Sequence, residues 1–168
     1  RVKSVGHQIT LPRDYKSLEE IDVVLLELAE AVCRRARQGN YAGRTVSLYV
    51  RGDDFSGLAR SRSFPAPTAS PDKVCRLARG LFRRHWPPGK PVRLLGIALG
   101  SLIQPKFRQL CLFDQEEQLY DAVDEIKDRF GETSLLRSSF LLEAGVFYSG
   151  DRQQNVGRPP HASAPGPG

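Results

Sequence analysis

Two capped helical segments, each set between stretches of near two-residue alternation, restrict this chain to a small set of folds. Ser17 with Glu20 three residues on forms a capping box, and Ile21, Val24, Leu25, Leu28 and Val32 then recur at helical spacing up to Gly39, a suitable C-terminal stop. Ser70-Pro71 supplies a second N-cap with proline in the first turn. Val74, Leu77, Ala78, Leu81 and Phe82 follow on one face, and Pro87-Pro88 end the pattern. Ahead of the first helix, Val5, His7, Ile9 and Leu11 alternate with Ser4, Gly6, Gln8 and Thr10, predicting a half-buried strand that ends at Pro12. Between the helices, Val46, Leu48 and Val50 alternate with Thr45, Ser47, Tyr49 and Arg51 in a strand from Arg44 to Arg51. Gly52-Asp53-Asp54 turns the chain into a run from Gly57 to Phe64 whose alternation is poor and which Pro65 and Pro67 are expected to end. Val92 to Leu102 is apolar on both phases, as expected near the centre of a sheet. The order β-α-β-β-α-β predicts an α+β fold: a four-stranded sheet with both helices on one face, the other face polar and basic.

At 168 residues the chain has room for one domain with appendages. Its net charge of +6 favours an anionic partner, and the charge is unevenly placed. Residues 1–113 hold 20 Lys and Arg against 9 Asp and Glu, a net of +11, whereas residues 114–168 hold 5 against 10, a net of −5. No apolar run of about 18 residues is present and no signal peptide opens the chain, so a cytoplasmic protein without membrane contact is expected. There is no methionine, even at position 1, which suggests a fragment of a longer protein. Cys33, Cys75 and Cys111 are too far apart for a C-x-x-C pair and are read as reduced and structural.

No catalytic constellation stands out. Asp53-Asp54 is the one adjacent carboxylate pair that resembles a two-metal cluster, and its place in a hairpin turn explains it. Asp121, Asp124, Glu125 and Asp128 read as the solvated face of a third helix. The three histidines have no ligand-spaced neighbours, and His7 shares the phase of strand-core residues, as a hydrogen-bonded core histidine would. Neither a Gly-rich phosphate loop nor a Ser/His/Asp set is found, and no metal site is expected. Nucleic-acid binding fits better: Ser4, Gln8, Thr45, Ser47 and Arg51 on the open face, with Lys3, Arg44, Arg60 and Arg62 nearby, offer small donors and cations suited to phosphate oxygens. Arg34, Arg35 and Arg37, and likewise Arg83 and Arg84, lie at helix C-termini, where the macrodipole alone accounts for them. An RNA-recognition module has the same element order, but its sheet needs stacking aromatics, and the strand around Tyr49 supplies one.

Between the basic body and the acidic remainder lies Gln109-Leu110-Cys111-Leu112-Phe113, an apolar cluster outside the main periodic pattern that suggests a docking peptide. Beyond it, Leu119, Val123, Ile126 and Phe130 form a helical stripe stopped by Gly131. A shorter pattern, Leu135, Leu136, Phe140 and Leu141, follows, and from Gly150 the Gly, Pro, Gln and Ser content predicts disorder. The expected division is 1–104, 105–113, 114–149 and 150–168.

Lys3-Ser4-Val5-Gly6-His7-Gln8 with Thr10-Leu11-Pro12, Arg60-Ser61-Arg62-Ser63-Phe64, Arg93-Leu94-Leu95-Gly96-Ile97 and Gln109-Leu110-Cys111-Leu112-Phe113 occur in the order and spacing of one known family. Together they resemble the little finger domain and sliding-clamp-binding peptide of bacterial Y-family translesion DNA polymerases, the polymerase IV type. Asp124-Glu125-Ile126 through Arg129-Phe130-Gly131 is similar to an extension that some members carry, so the resemblance covers about residues 1–142. It implies a sheet order of 1-4-2-3 and an open face lying along duplex primer-template DNA without base specificity. It also implies a sliding clamp as partner, with Gln109 at the rim of the clamp pocket and Leu110, Leu112 and Phe113 inside it. The family's catalytic carboxylates and their Mg2+ belong to a palm domain outside this sequence, so a non-catalytic monomer without cofactor is expected here. A stand-alone protein that occupies the clamp is the alternative from another class.

Overall fold

The computed structural model describes residues 2–105 and 115–131. The Gln109–Phe113 peptide with Cys111, the Leu135–Leu141 pattern and the segment from Gly150 lie outside the described residues. The elements are β1 (Ser4–Tyr15), α1 (Leu18–Gln38), β2 (Gly43–Gly52), β3 (Gly57–Thr68), α2 (Pro71–His85), β4 (Val92–Gly100) and α3 (Gln115–Phe130). The strands form one antiparallel sheet in the order β1-β4-β2-β3, so the doubly apolar β4 is an interior strand.

The helix starts follow their caps. Ser17 Oγ accepts from the Glu19 backbone N–H at 3.2 Å, and Ser70 Oγ accepts from that of Lys73. Each satisfies an N–H with no intrahelical acceptor. Ile21, Val24, Leu25, Leu28 and Val32 of α1 and Val74, Ala78, Leu81 and Phe82 of α2 are buried against Val46, Leu48 and Val50 of β2 and Leu95, Ile97 and Leu99 of β4. Burial of each large apolar side chain contributes about 1.5–3 kcal/mol, which makes this layer the main source of stability. Cys33 and Cys75 belong to the layer as free thiols, and desolvation pushes the Cys33 pKa up to about 12. A thiol held neutral in this way is a small hydrophobe rather than a nucleophile.

Two strands outlast the prolines expected to end them. β1 runs past Pro12 to Tyr15, and β3 past Pro65 and Pro67 to Thr68. Both are edge strands, with pairing on one side alone, and both shift register near their prolines: between Thr10 and Tyr15 in β1, and opposite the Gly43–Thr45 step of β2 in β3. A missing N–H is tolerated at such edges and irregularities. The ladder resumes beyond each, with Tyr15 buried opposite Val92.

Asp53-Asp54 is a turn, as its spacing suggests. The Asp54 carboxylate accepts from Ser56 N–H (3.1 Å) and Ser56 Oγ–H (2.6 Å) and lies 3.3 Å from Lys90 Nζ. These bonds, those of Ser56 foremost, hold its pKa at about 2. A depressed carboxylate stabilises the fold fully above the ordinary aspartate range and loses that contribution as pH falls through the folded-state value. Asp54→Asn is therefore expected to lower the melting temperature at neutral pH, with the gap to the parent closing between about pH 4 and about pH 2 in thermal melts. A gap that does not vary with pH would assign the loss to shape alone.

Candidate nucleic-acid interface

Strand registers assemble the open face row by row. Ser4, Gly100, Thr45 and Ser63 stand side by side across β1, β4, β2 and β3, followed by Gly6, Ala98, Ser47 and Ser61, then Gln8, Gly96, Tyr49 and Ala59, then Thr10, Leu94, Arg51 and Gly57. Most of these side chains are hydrogen, methyl or hydroxymethyl. A Cβ added at Gly96 would come within 2.9 Å of Gln8 Cβ, so the floor of the third row is kept flat by glycine. Strands about 4.8 Å apart and rows of about 6.7 Å give a plane of roughly 14 by 20 Å. Thr45 Oγ1 lies 3.0 Å from both Ser63 Oγ and Ser101 Oγ, which gathers three hydroxyls at the upper end.

Ser4, Gln8, Thr45, Ser47 and Arg51 are therefore brought together, but the remaining candidates are not. Arg60 and Arg62 stand opposite Leu48 and Val46, whose side chains are buried under the helices, so both arginines project on the helical side of the sheet at its β3 edge. Arg60 donates to the Ala59 carbonyl at 2.8 Å, and Arg44 to that of Phe64 at 3.4 Å across the same edge. Lys3 precedes β1 and is exposed. The open face is thus polar, but among the described residues Arg51 is its single cation; the expectation of a basic face is corrected. An edge strand exposed on both sides carries no burial pattern from which the facing of Arg60 and Arg62 could be read.

Sequence reasoning did not single out Ser61, Ser63 and Ser101 for this face, or Phe55. Phe55 is 84% exposed at the β2–β3 hairpin tip with a left-handed φ of 62°, an unusual conformation for a bulky residue. His7 points to the helical side but is half-buried at the β1 edge rather than in the core, and burial first, then Arg35, lowers its pKa. Among the described residues no three His, Cys, Asp or Glu side chains form a group that could hold a metal, and no helix is long and apolar enough to cross a membrane.

The acidic helix α3 also departs from expectation. Asp124 accepts from Arg37 through both oxygens, at 2.6 and 2.9 Å, and lies 3.4 Å from Arg34, which also pairs with Asp128 at 3.0 Å. Tyr120 donates to Asp72 at the start of α2, and Arg37 lies over the Tyr120 ring. Asp124 is thus a half-buried pairing group rather than part of a solvated face, while Asp128 and Glu125 stay exposed, Asp128 pairing from the rim; Arg34 and Arg37 do more than cap a macrodipole, and likewise Arg83 pairs with Asp22 at 3.0 Å. Because this ionic seam chooses the side of α3 that docks, the ends of its apolar stripe face out: Leu119 is 60% and Phe130 75% exposed, whereas Val123 between them is half-buried. Asp124→Ala, which leaves two nearly buried guanidinium groups without their shared partner, is expected to release α3 at a cost of about 3 kcal/mol. Hydrogen exchange would show α3 amides losing protection while those of β4 keep theirs; equal protection in both variants would contradict the seam.

Comparison with known proteins places the chain. Residues 2–112 match the model described as "impB/mucB/samB family C-terminal domain". The chain is 55% identical over 149 residues to "DNA polymerase IV" of Pelotomaculum thermopropionicum, covering 87% of this chain and 37% of that protein. It is 47% identical over 152 residues to the protein of that name from Moorella thermoacetica, covering 89% and 38%. It therefore spans less than two fifths of the length of these relatives. In fold it is similar to a solved "Complex of beta-clamp processivity factor and little finger domain of PolIV", with a TM-score of 0.51 and 21% identity, covering 66% of this chain and 98% of that one. The β-α-β-β-α-β body, its 1-4-2-3 sheet and these matches agree: the chain belongs to the impB/mucB/samB family C-terminal domain, the little finger of Y-family DNA polymerases of the polymerase IV type.

Proposed function

We propose that this chain is the duplex-gripping and clamp-tethering part of a translesion DNA polymerase. The observation that carries the duplex reading is the flat plane of small hydroxyl-bearing residues, which lets a double helix approach the backbone of the sheet closely. Ser4, Thr45, Ser47, Ser61 and Ser63 offer donors to phosphate oxygens, Arg51 a charge within the plane, and Lys3, Arg44, Arg60 and Arg62 charges at or near its borders. Contacts of this kind position a duplex without reading its sequence. An RNA-recognition reading is less well supported, because the open face carries Tyr49 alone as a stacking aromatic.

The tether is Gln109-Leu110-Cys111-Leu112-Phe113. Support for it comes from the motif itself and from the related little finger solved with a beta-clamp. On this reading Gln109 hydrogen-bonds at the rim of an apolar clamp pocket that Leu110, Leu112 and Phe113 fill. The chain is anchored on both sides of the motif: Ile103 bridges to Ala42, and α3 is seamed to α1. Binding measured with duplex DNA and with single-stranded RNA, each at two salt concentrations, tests the duplex part. Duplex DNA is expected to bind more tightly, with a salt slope of several units. Preference for the RNA would refute the reading.

A further inference from the structure

On the helical side of the sheet, β3 and the outer flank of α2 border a groove of about 550 Å³. Lys73, Arg76, Gly80 and Arg84 line it from α2 at three- and four-residue spacing, a single row about 16 Å long, and Arg62 faces them from β3. The inner-flank arginines of α2 are paired instead, Arg79 and Arg83 sharing Asp22. The side chains of Arg62, Lys73, Arg76 and Arg84 have no hydrogen-bond or ion-pair partner among the described residues. Four such cations around one groove repel one another, and an anionic chain laid between them would relieve this.

The floor says which anionic chain. Phe64 and Leu77 line the groove as partly exposed apolar side chains, and a Cβ added at Gly80 would meet nothing within 4 Å, so the floor is open at its middle. A cationic rim over an apolar floor with one aromatic suits a single nucleic-acid strand, whose bases are free to leave the backbone and lie against it; in a duplex those faces are stacked away. The alternation of β3 adds continuity: Ser61 and Ser63 belong to the open face, Arg62 and Phe64 to the groove, and Ser61 also borders the groove at the strand edge.

We propose that the groove between β3 and α2 binds single-stranded nucleic acid, its phosphates along Arg62, Lys73, Arg76 and Arg84 and a base against Phe64 and Leu77. The site lies on the opposite side of the sheet from the duplex plane and meets it at the β3 edge, where Arg62 borders both, so a strand that leaves a duplex there reaches it by crossing that edge.

The test uses the full chain and a fluorescent twelve-residue oligothymidylate, with a blunt duplex and inorganic polyphosphate as comparisons. Arg76→Glu with Arg84→Glu, both at exposed positions, is expected to weaken oligothymidylate binding at least tenfold and to make its salt slope shallower by about 1.4, while duplex affinity changes less than twofold. Arg76→Lys with Arg84→Lys is expected to keep most of the affinity. Unchanged oligothymidylate binding in the reversed variant, with its melting temperature preserved, would overturn the site. An equal loss for the duplex would overturn its strand preference, and polyphosphate binding as tight as oligothymidylate would overturn the base contact. Loss of duplex binding through open-face substitutions alone would leave this site standing.

Discussion

Replacing Leu112 and Phe113 together by alanine is expected to abolish binding to an immobilised sliding clamp while leaving duplex affinity within twofold of the parent. Each apolar side chain seated in a clamp pocket contributes about 1.5–3 kcal/mol, so the pair accounts for about 3–6 kcal/mol, a loss on the order of a hundredfold or more. Cys111→Ala is the control, because its side chain is assigned no pocket contact and its removal is expected to change little. The duplex readout separates two accounts of the same residues. Loss of clamp and duplex binding together would mean that Leu112 and Phe113 hold the body together rather than serve as a tether.

Thr45→Glu with Ser47→Glu is expected to have the second large effect, on duplex DNA. Both residues are half-buried in the open face, one row apart on the interior strand β2, so both carboxylates would stand in the middle of the plane. The change removes two donors to charged acceptors, each contributing about 1.5–3 kcal/mol, and adds repulsion from the phosphates, for a loss on the order of a hundredfold. Neither side chain belongs to the buried layer, so the fold should survive, as circular dichroism would show. Reversal of Arg60 and Arg62 at the β3 edge is expected to act differently. It should weaken duplex binding less and make the salt slope shallower by about 2, and an unchanged slope would remove that edge from the interface.

How far the sequence reaches follows from what sets each feature. Where burial writes the pattern, the pattern is legible: Ile21, Val24, Leu25 and Leu28 of α1 and Val46, Leu48 and Val50 of β2 are nearly inaccessible, and the alternation of β2 places Thr45, Ser47 and Arg51 on the open face. Proline is ambiguous because its effect depends on what lies beside the strand; Pro12, Pro65 and Pro67 are carried by edge strands with shifted register. The facing of Arg60 and Arg62 could not be read from a strand solvated on both sides. Arginines at helix ends look alike in sequence whether without a partner among the described residues, as Arg84, or paired across the fold, as Arg34, Arg37 and Arg83. The docking side of α3 is hidden from the sequence for the same reason, since Asp124 and Asp128 find guanidinium partners about 90 residues earlier in the chain.

The proposal that the open face holds the duplex is tested most directly by amide chemical shifts recorded while a blunt DNA duplex is titrated into the chain. The expected result is a continuous patch of perturbed amides across the sheet, at Gly6, Gly96, Ala98, Ser47 and Ser61, with α1 unmoved. Perturbations confined to the helical side, with those five amides unchanged at saturation, would contradict it.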